Sequence, residues 1–222
     1  MTTVGIIGSG MIGGTVARLS VAAGYHVVVS NSRGPETLAE LTAELGPLAT
    51  AGTSEQAGEA GDLVLVSIPV KAFGDVPVKP LAGKPVLDTG NYYPQRDGHI
   101  EELDTGALTS SGLLQRYLPE AQVVKVFNNI FFKHLHYLAR PHGAQDRSAL
   151  PIAGDDPAAK QAVTAFLDAI GYDAVDTGPL AESWRQEPGT PVYGSPYGPY
   201  SDEMGTPASA ATIHAALVGA HR

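Results

Sequence analysis

The sequence contains no cysteine among its 222 residues. This absence excludes disulfide bonds, thiolate metal ligands and cysteine nucleophiles. No apolar run reaches the roughly 18 residues that a membrane-spanning helix requires. The N-terminal residues Met1-Thr2-Thr3 also lack the basic region that begins a signal peptide. We therefore expect a cytoplasmic protein that does not bind membranes.

Basic residues are scarce as well. The chain has 14 Lys and Arg against 23 Asp and Glu, which gives a net charge of −9. Nucleic acids bind through basic surface patches, so we expect no nucleic-acid partner. A small anionic ligand is not excluded, because one arginine and a helix N-terminus are sufficient to bind it. The seven histidines lack the spaced partners of a metal motif, and no metal site is predicted.

Short apolar runs alternate with amphipathic helical patterns along most of the chain. Met11–Ala23 and Pro157–Ile170 predict helices, the second with Asp156 as its N-cap and Gly171 at its end. The runs are almost continuously apolar, as strands are when both faces of a parallel sheet are covered. The alternation predicts an α/β protein with a Rossmann-type, doubly wound, mostly parallel sheet. The predicted strands are Val4–Ile7, His26–Ser30, Leu63–Ile68, Pro85–Leu87, Val123–Phe127, Leu150–Ala153 and Tyr172–Val175.

The character of the chain changes beyond Pro179. Glu187–Pro207 is rich in glycine, proline and tyrosine and is predicted to be irregular, with a last short helix near Ala208–Leu217. We expect a dinucleotide-binding domain over residues 1–145 and a smaller C-terminal α/β portion over residues 146–222 for substrate binding and dimerisation.

Three tyrosines of the irregular tail, and Trp184 just before it, are expected not to stay exposed. They cover the cleft or are buried against a second copy of the chain, and a homodimer is predicted on this ground. These residues are Trp184, Tyr193, Tyr197 and Tyr200.

A glycine-rich motif, Gly8-Ser9-Gly10-Met11-Ile12-Gly13, follows the first predicted strand and opens a helix. The first glycine permits a tight turn, the second lets a pyrophosphate approach the backbone, and the third lets helix and strand pack closely. The pyrophosphate then lies on the free N–H groups of the helix N-terminus. The alternative is a chance set of glycines, but strand, spacing and helix together favour a dinucleotide site.

The end of the second predicted strand distinguishes the two nicotinamide cofactors. An NAD enzyme usually has an Asp or Glu there, whereas this chain has Ser30-Asn31-Ser32-Arg33. A carboxylate would repel a 2′-phosphate, while Asn31, Ser32 and Arg33 offer neutral donors and a positive charge. The alternative is that Arg33 is merely solvated at a helix start. The sequence thus predicts NADP(H).

These motifs resemble the NADP-dependent oxidoreductases of the deazaflavin coenzyme F-420. Members of that family pass a hydride between NADP(H) and the deazaflavin, and the resemblance implies the same activity here. The cytoplasmic domain of the mammalian transmembrane ferric reductases is similar too, which widens the range of acceptors. The resemblance is carried by Ile6–Gly13, Asn31–Arg33, Ser67–Pro69, Val124–Asn128, Gly154–Asp156 and Asp176–Leu180.

The resemblance also implies roles for individual residues. The turn and helix start lie along the pyrophosphate, the end of the second strand holds the 2′-phosphate, and Ser67, Ile68 and Pro69 lie beneath the ribose and nicotinamide. Asn91 and Asn128 follow two further strands and are candidates to orient the carboxamide or the substrate, with ordinary loop asparagines as the alternative. Together with the motif and the strand ends, this makes the candidate cofactor residues Gly8, Ser9, Gly10, Met11, Ile12, Gly13, Asn31, Ser32, Arg33, Ser67, Ile68, Pro69, Asn91 and Asn128.

One stretch departs from the family. The deazaflavin enzymes have a long apolar helix after the Gly-Pro-Leu element, whereas Trp184–Gly194 contains two prolines and two glycines and cannot form it. The sequence resembles a broader group of relatives with a Pro-Gly-Thr-Pro tail, which leaves the acceptor open.

The need for a catalytic acid depends on that acceptor. Hydride transfer between two bound rings mainly requires alignment, because the cofactor carries the chemistry. Reduction of a carbonyl or imine also requires an acid, and His134 is the best candidate, with a surface or interface position as its alternative. The alternatives to a deazaflavin or similar flat acceptor are therefore a small carbonyl, imine or quinone, reduced with His134 or a tail tyrosine as acid. A third possibility is a redox sensor that binds NADPH without turnover.

Overall fold

The computed structural model describes residues 2–221. Eight strands form one sheet in the order β3-β2-β1-β4-β5-β6-β7-β8, parallel throughout apart from the antiparallel pair β6 and β7. The order β3-β2-β1-β4-β5-β6 is that of Rossmann folds, so the predicted fold class is confirmed. The strands are β1 (Thr3–Ile7), β2 (His26–Ser30), β3 (Ala49–Ala51), β4 (Leu63–Val66), β5 (Pro85–Asp88), β6 (Gln122–Lys125), β7 (Ala149–Gly154) and β8 (Asp173–Asp176).

All seven predicted strands are present. The boundaries of β2 are as predicted, and those of the other six are shifted. β4 and β6 end before the predicted Ile68 and Phe127, because the chain turns into loops at those points. The strand β3 was not predicted, because its Ala-Thr-Ala sequence lacks bulky apolar residues and lies partly exposed at the sheet edge.

Nine helices connect the strands within the described residues. The predicted boundaries of the α8 helix are confirmed, and Asp156 caps it by accepting a hydrogen bond from the N–H of Ala159 at 2.7 Å. The helices are α1 (Met11–Ala22), α2 (Ala39–Leu45), α3 (Ser54–Ala60), α4 (Pro94–Asp97), α5 (Glu101–Asp104), α6 (Ser110–Tyr117), α7 (Phe132–Tyr137), α8 (Pro157–Ile170) and α9 (Ala210–Val218).

Hydrophobic clusters cover both faces of the sheet. Leu63 and Leu65 of β4 pack in one cluster with residues of α1 and α8, while Val64 and Val66 pack in the other with residues of α3 and α6. Successive strand residues point to opposite faces, which explains the continuous apolar run of β4. No helix within residues 2–221 is long and apolar enough to cross a bilayer.

The tail is irregular over Glu187–Pro207, as predicted, with one short 3₁₀ turn at Ser195–Tyr197. It packs at the carboxyl edge of the sheet: the Tyr197 hydroxyl donates to the Ala149 carbonyl at 2.8 Å, and the Gly194 N–H donates to the Asn129 carbonyl at 2.8 Å. The boundary expected after residue 145 lies in the loop between α7 and β7. The functional division of the chain there stays a prediction.

Candidate active site

The turn between β1 and α1 has two crowded glycines and one open glycine. Gly8 has φ +102°, and a Cβ added to it would lie 2.3 Å from the Ser67 carbonyl oxygen. A Cβ on Gly13 would lie 1.9 Å from the Gly8 carbonyl oxygen. A Cβ on Gly10 would meet no heavy atom within 4 Å. The backbone of this turn is therefore tightly packed at Gly8 and Gly13, and it is open at Gly10, where a ligand would approach.

The N-terminus of α1 is free to bind an anion. Gly10 precedes the helix, no side chain caps it, and its first turn contains no acidic residue. The N–H groups of a first turn have no partner within the helix, and the helix dipole favours negative charge there. Together with the open face of Gly10, this turn fits the pyrophosphate of a dinucleotide.

The turn after β2 is shaped by Asn31. Its Oδ1 accepts from the N–H of Arg33 at 2.9 Å, and its Nδ2 donates to the Thr37 hydroxyl at 2.9 Å. Ser32 and Arg33 are exposed, and the Arg33 guanidinium forms no ion pair within residues 2–221. Its charge remains available to a phosphate.

One carboxylate lies beside this turn. The Glu36 side chain folds back over the backbone, and its Oε1 atom lies 2.4 Å from the position that a Cβ on Gly34 would take. The sequence showed no carboxylate in the turn itself, and the structure brings this one in from the following 3₁₀ turn at Pro35–Leu38.

A cleft of about 560 Å³ opens beyond the carboxyl ends of β1, β4, β5 and β6. It brings together eight of the predicted cofactor residues. Gly8, Ser9 and Gly13 are not in its lining, and Asn31, Ser32 and Arg33 lie outside it at the neighbouring strand end. The lining consists of Gly10, Met11, Ile12, Ser67, Ile68, Pro69, Thr89, Gly90, Asn91, Tyr93, Arg96, Phe127, Asn128, Asn129, Ile130, Phe131, Phe132, Tyr193 and Tyr200.

Asn128 lines this cleft and carries an acceptor without a partner in the described chain. Its Nδ2 group donates to Asn91 Oδ1 at 2.9 Å and to the Gln186 carbonyl at 2.6 Å. Its Oδ1 is buried and has no hydrogen-bond partner among residues 2–221. A buried acceptor without a partner is costly, which is consistent with a ligand N–H group completing it.

Phe127 holds the backbone of this loop in an unusual conformation. Its φ is +64°, the left-handed region that non-glycine residues rarely adopt, and its side chain is fully buried. Such a residue costs about 1–3 kcal/mol and is found mainly at functional sites. The apolar strand pattern of the sequence gave no signal of it.

A buried ion pair supports the loop after β5. Lys125 Nζ lies 3.3 Å from Asp88 Oδ2, and both side chains are fully buried. The ammonium also donates to the Gly90 carbonyl and, at 2.9 Å, to the Ser110 hydroxyl. The sequence analysis missed this pair, although a lysine inside an apolar strand was a signal for a buried partner.

Two tail tyrosines form one wall of the cleft. The Tyr193 hydroxyl lies 2.5 Å from the Tyr93 hydroxyl, and the Tyr200 ring packs against Phe131 at a tilt of 51°, with 5.2 Å between the ring centres. Burial, with a smaller contribution from the hydrogen bond to Tyr93, raises the pKa of Tyr193. The tail aromatics are expected either to cover the cleft or to be buried against a second copy of the chain. Tyr193 and Tyr200 line the cleft, whereas Tyr197 is buried in the core of its own chain.

His134 is not part of the cleft lining. Its side chain is fully buried, its Nε2 lies 2.6 Å from the Asp202 carbonyl, and the Gly205 backbone covers its ring. The tail therefore separates this ring from the cleft, and its role as an acid stays a prediction that the geometry does not favour. Within residues 2–221 no group of three or more His, Asp or Glu side chains is arranged to hold a metal ion.

Comparison with known proteins shows which family the N-terminal part of the chain resembles. The family profile described as "NADP oxidoreductase coenzyme F420-dependent" matches residues 3–92. The hypothetical protein SMa0349 from Sinorhizobium meliloti, a solved structure, is 30% identical with a TM-score of 0.75, over 86% of this chain and 93% of that one. A candidate F420-dependent NADP-reductase from Arthrobacter sp. FB24 is 22% identical with a TM-score of 0.67, over 83% of this chain and 87% of that one.

Metalloreductase STEAP3 of Rattus norvegicus is 30% identical over 187 residues, which are 83% of this chain and 35% of that protein. The chain spans 39% and 35% of the lengths of the two curated relatives that it matches. The profile match runs from β1 to just beyond β5 and includes the glycine turn and the end of β2. The predicted resemblance is thus confirmed over residues 3–92, which match the family of NADP-dependent oxidoreductases that is described as coenzyme F420-dependent.

Proposed function

We propose that this protein transfers a hydride between NADP(H) and a flat acceptor ring, the deazaflavin coenzyme F-420 or a ring of similar shape. The observation that carries the proposal is the single cleft that extends from the N-terminus of α1 to the aromatic wall of the tail. Ligands of open α/β sheets bind at this edge, where the strand order reverses. NADPH, when bound there, supplies the hydride.

The protein's own contribution is binding and orientation. The α1 N-terminus holds the pyrophosphate, and Ser32 and Arg33 bind the 2′-phosphate. Ser67, Ile68 and Pro69 support the ribose and nicotinamide, and the Asn128 Oδ1 acceptor binds the carboxamide. Alignment of this kind is the main requirement for hydride transfer between two rings.

The acceptor side of the cleft supports a flat ring. Tyr93, Phe131 and Tyr193 line it with aromatic faces, and such faces stack on planar ligands while excluding water. The Thr190-to-Gly194 region of the tail, which replaces the apolar helix of the deazaflavin enzymes, contributes Tyr193 to this wall.

The proposal is tested by absorbance. Purified protein is mixed with NADPH and oxidised coenzyme F-420, with NADH in parallel, and bleaching of the deazaflavin is followed. Fast bleaching with NADPH and slow bleaching with NADH supports both the activity and the cofactor preference. Tight NADPH binding without oxidation in the presence of F-420, flavins or quinones contradicts the proposal and favours a redox sensor.

A second candidate is the reduction of a small carbonyl, imine or quinone. The Tyr93–Tyr193 hydroxyl pair favours it, because it places an O–H donor in the cleft. A tyrosine hydroxyl is protonated at neutral pH, so this pair can donate a proton. Burial raises the pKa of Tyr193, which makes its hydroxyl a weaker acid than that of an exposed tyrosine. Tyr193→Phe should then abolish reduction of such substrates while NADPH binding persists. Unchanged turnover in that variant contradicts the acid role.

The homodimer also stays a prediction. Its original support was the aromatic tail, and part of that tail packs within the chain itself through the buried Tyr197. Light scattering of the purified protein measures the mass directly: twice the 23.0 kDa of the chain supports the dimer, and a single chain mass contradicts it.

A further inference from the structure

Among the described residues that line the cleft, Arg96 is the only one with a charged side chain. The cleft contains no carboxylate, although the chain as a whole has a net charge of −9. An anion that enters it therefore meets one cation and no repelling group on the cleft wall. This distribution of charge favours an anionic ligand at the end of the cleft where Arg96 lies.

The guanidinium of Arg96 is held in a fixed position. Its Nε and Nη2 donate to the Asp97 carboxylate at 3.0 and 2.8 Å, and Nη2 also donates to the Asn91 carbonyl at 2.6 Å. The cation lies 5.0 Å from the centre of the Tyr93 ring. An arginine that is already ordered loses little conformational entropy when it binds a ligand.

One edge of this guanidinium remains available. The Arg96 side chain is 42% exposed, while the side chain of its partner Asp97 is fully buried. The Nη1 group donates to no acceptor within residues 2–221, so its two N–H donors are free. Guanidinium groups bind carboxylates and phosphates through such donors, with charge-assisted hydrogen bonds.

We propose that the second substrate is an aromatic ring carrying an anionic substituent, a carboxylate, phosphate or sulfonate, and that Arg96 binds this substituent. The ring lies against Tyr93 and Tyr193, which adjoin the arginine. This inference rests on the proposed function, because it assigns the part of the cleft that the cofactor leaves open. It requires the acceptor to carry an anionic substituent in addition to a flat ring.

The cofactor's own phosphates are the competing source of negative charge. The α1 N-terminus already meets the pyrophosphate, and Arg33 lies at the 2′-phosphate end. Arg96 follows β5, and β4 separates β5 from β1 in the sheet. The position of Arg96 therefore favours the second substrate over the cofactor.

The test measures binding and needs no turnover. The probes are 2-naphthoate, an aromatic anion, and 2-naphthamide, its neutral counterpart, titrated calorimetrically into protein saturated with NADP⁺ and into protein alone. The wild type should bind naphthoate at least about tenfold more tightly than naphthamide, as expected for a charge-assisted hydrogen bond. Arg96→Gln should remove this preference, and Arg96→Lys should restore part of it.

Arg116→Gln is the matched control. Arg116 lies in α6, forms an exposed ion pair with Glu102 and does not line the cleft, so its replacement should leave the naphthoate preference unchanged. Melting temperature and NADP⁺ affinity of each variant report on the fold. Arg96→Gln should change NADP⁺ affinity less than about twofold, because the cofactor lies elsewhere.

Three outcomes overturn the inference. They are equal affinity of the wild type for the two probes, naphthoate binding that survives Arg96→Gln, and displacement of NADP⁺ by naphthoate. Selective naphthoate binding in a protein that reduces no acceptor would instead support the anion site and contradict the proposed function. The two failures are therefore distinguishable.

Discussion

Asn91 and Asn128 join the ends of two adjacent strands by exchanging hydrogen bonds. The Asn91 Nδ2 group donates to the Asn128 carbonyl oxygen at 2.8 Å, and the Asn128 Nδ2 group donates to Asn91 Oδ1 at 2.9 Å. Both donors of the Asn128 amide group lie on the protein side, since the Gln186 carbonyl accepts from the same nitrogen. The remaining polar atom of the amide group, Oδ1, is buried and has no partner among the described residues.

Replacing Asn128 should weaken recognition of the nicotinamide carboxamide. In wild type, NADPH should be preferred to its 3-acetylpyridine analogue, in which a methyl group replaces the carboxamide NH₂ group. Asn128→Ala should lower kcat/KM for NADPH by about tenfold, the value of one buried hydrogen bond to a ligand, and should abolish the preference. Steady-state kinetics with both cofactors measures it. A preference that persists in Asn128→Ala shows that another group binds the carboxamide.

Substitutions at two glycines of the β1–α1 turn should have different effects on NADPH affinity and on the free energy of unfolding. Gly10→Ala places a methyl group in open space, so the free energy of unfolding should change by less than about 1 kcal/mol. NADPH affinity should nevertheless fall by about tenfold or more, because the methyl group occupies the approach of the pyrophosphate. Fluorescence titration and urea unfolding measure the two quantities.

Gly13→Ala is the contrasting variant of that pair. Its methyl group would lie 1.9 Å from the Gly8 carbonyl oxygen, so the turn and helix must move apart. The protein should lose about 1–3 kcal/mol of stability, the usual cost of overpacking. If Gly10→Ala retains wild-type NADPH affinity, the pyrophosphate does not approach this face of the turn.

Arg33 should determine the preference for NADPH over NADH. Its exposed guanidinium has no ion-pair partner within the described chain, so its charge is available to a 2′-phosphate despite the nearby Glu36 carboxylate. Arg33→Gln should weaken NADPH binding about tenfold to a hundredfold and leave NADH binding nearly unchanged. Isothermal titration at low and high salt measures both, and the NADPH effect should shrink as salt rises. The Arg116→Gln control should change neither affinity; equal losses for both cofactors in Arg33→Gln would exclude a contact specific to the 2′-phosphate.

The buried pair of Lys125 and Asp88 should be strongly coupled. Lys125→Met leaves the Asp88 carboxylate buried without its cation, and we expect a loss of about 3–5 kcal/mol in urea unfolding. The double variant Lys125→Met/Asp88→Asn should recover part of that loss, because no net charge is then buried. Arg116→Met breaks an exposed ion pair and should cost at most about 1 kcal/mol. A loss of that small size in Lys125→Met would mean that the pair contributes little.

The regular part of the fold could be predicted from the sequence, and so could eight of the residues that line the cleft. The motif Gly8–Gly13 and the run Leu63–Ile68 carry local signals, namely glycine spacing and continuous apolarity, and local signals are visible in one dimension. Strand β3 was missed because Ala49–Ala51 resembles a loop in composition.

The aromatic wall of the cleft could not be predicted, because long-range contacts form it. Tyr93 and Tyr193 are 100 residues apart, and no periodicity relates them. The left-handed conformation of Phe127 and the burial of His134 likewise depend on how the tail packs. His134 follows Asn128 closely in sequence, yet the backbone of Asp202 and Gly205 covers its ring.

The most direct test of the central claim uses NADPH that carries deuterium at C4 of the nicotinamide, mixed with the protein and oxidised coenzyme F-420. The account predicts that deuterium appears on carbon in the reduced deazaflavin, that bleaching is slower than with unlabelled NADPH, and that NADH is a poor substitute. Tight NADPH binding with no deuterium in the deazaflavin, and no NADPH oxidation by flavins or quinones, would contradict it.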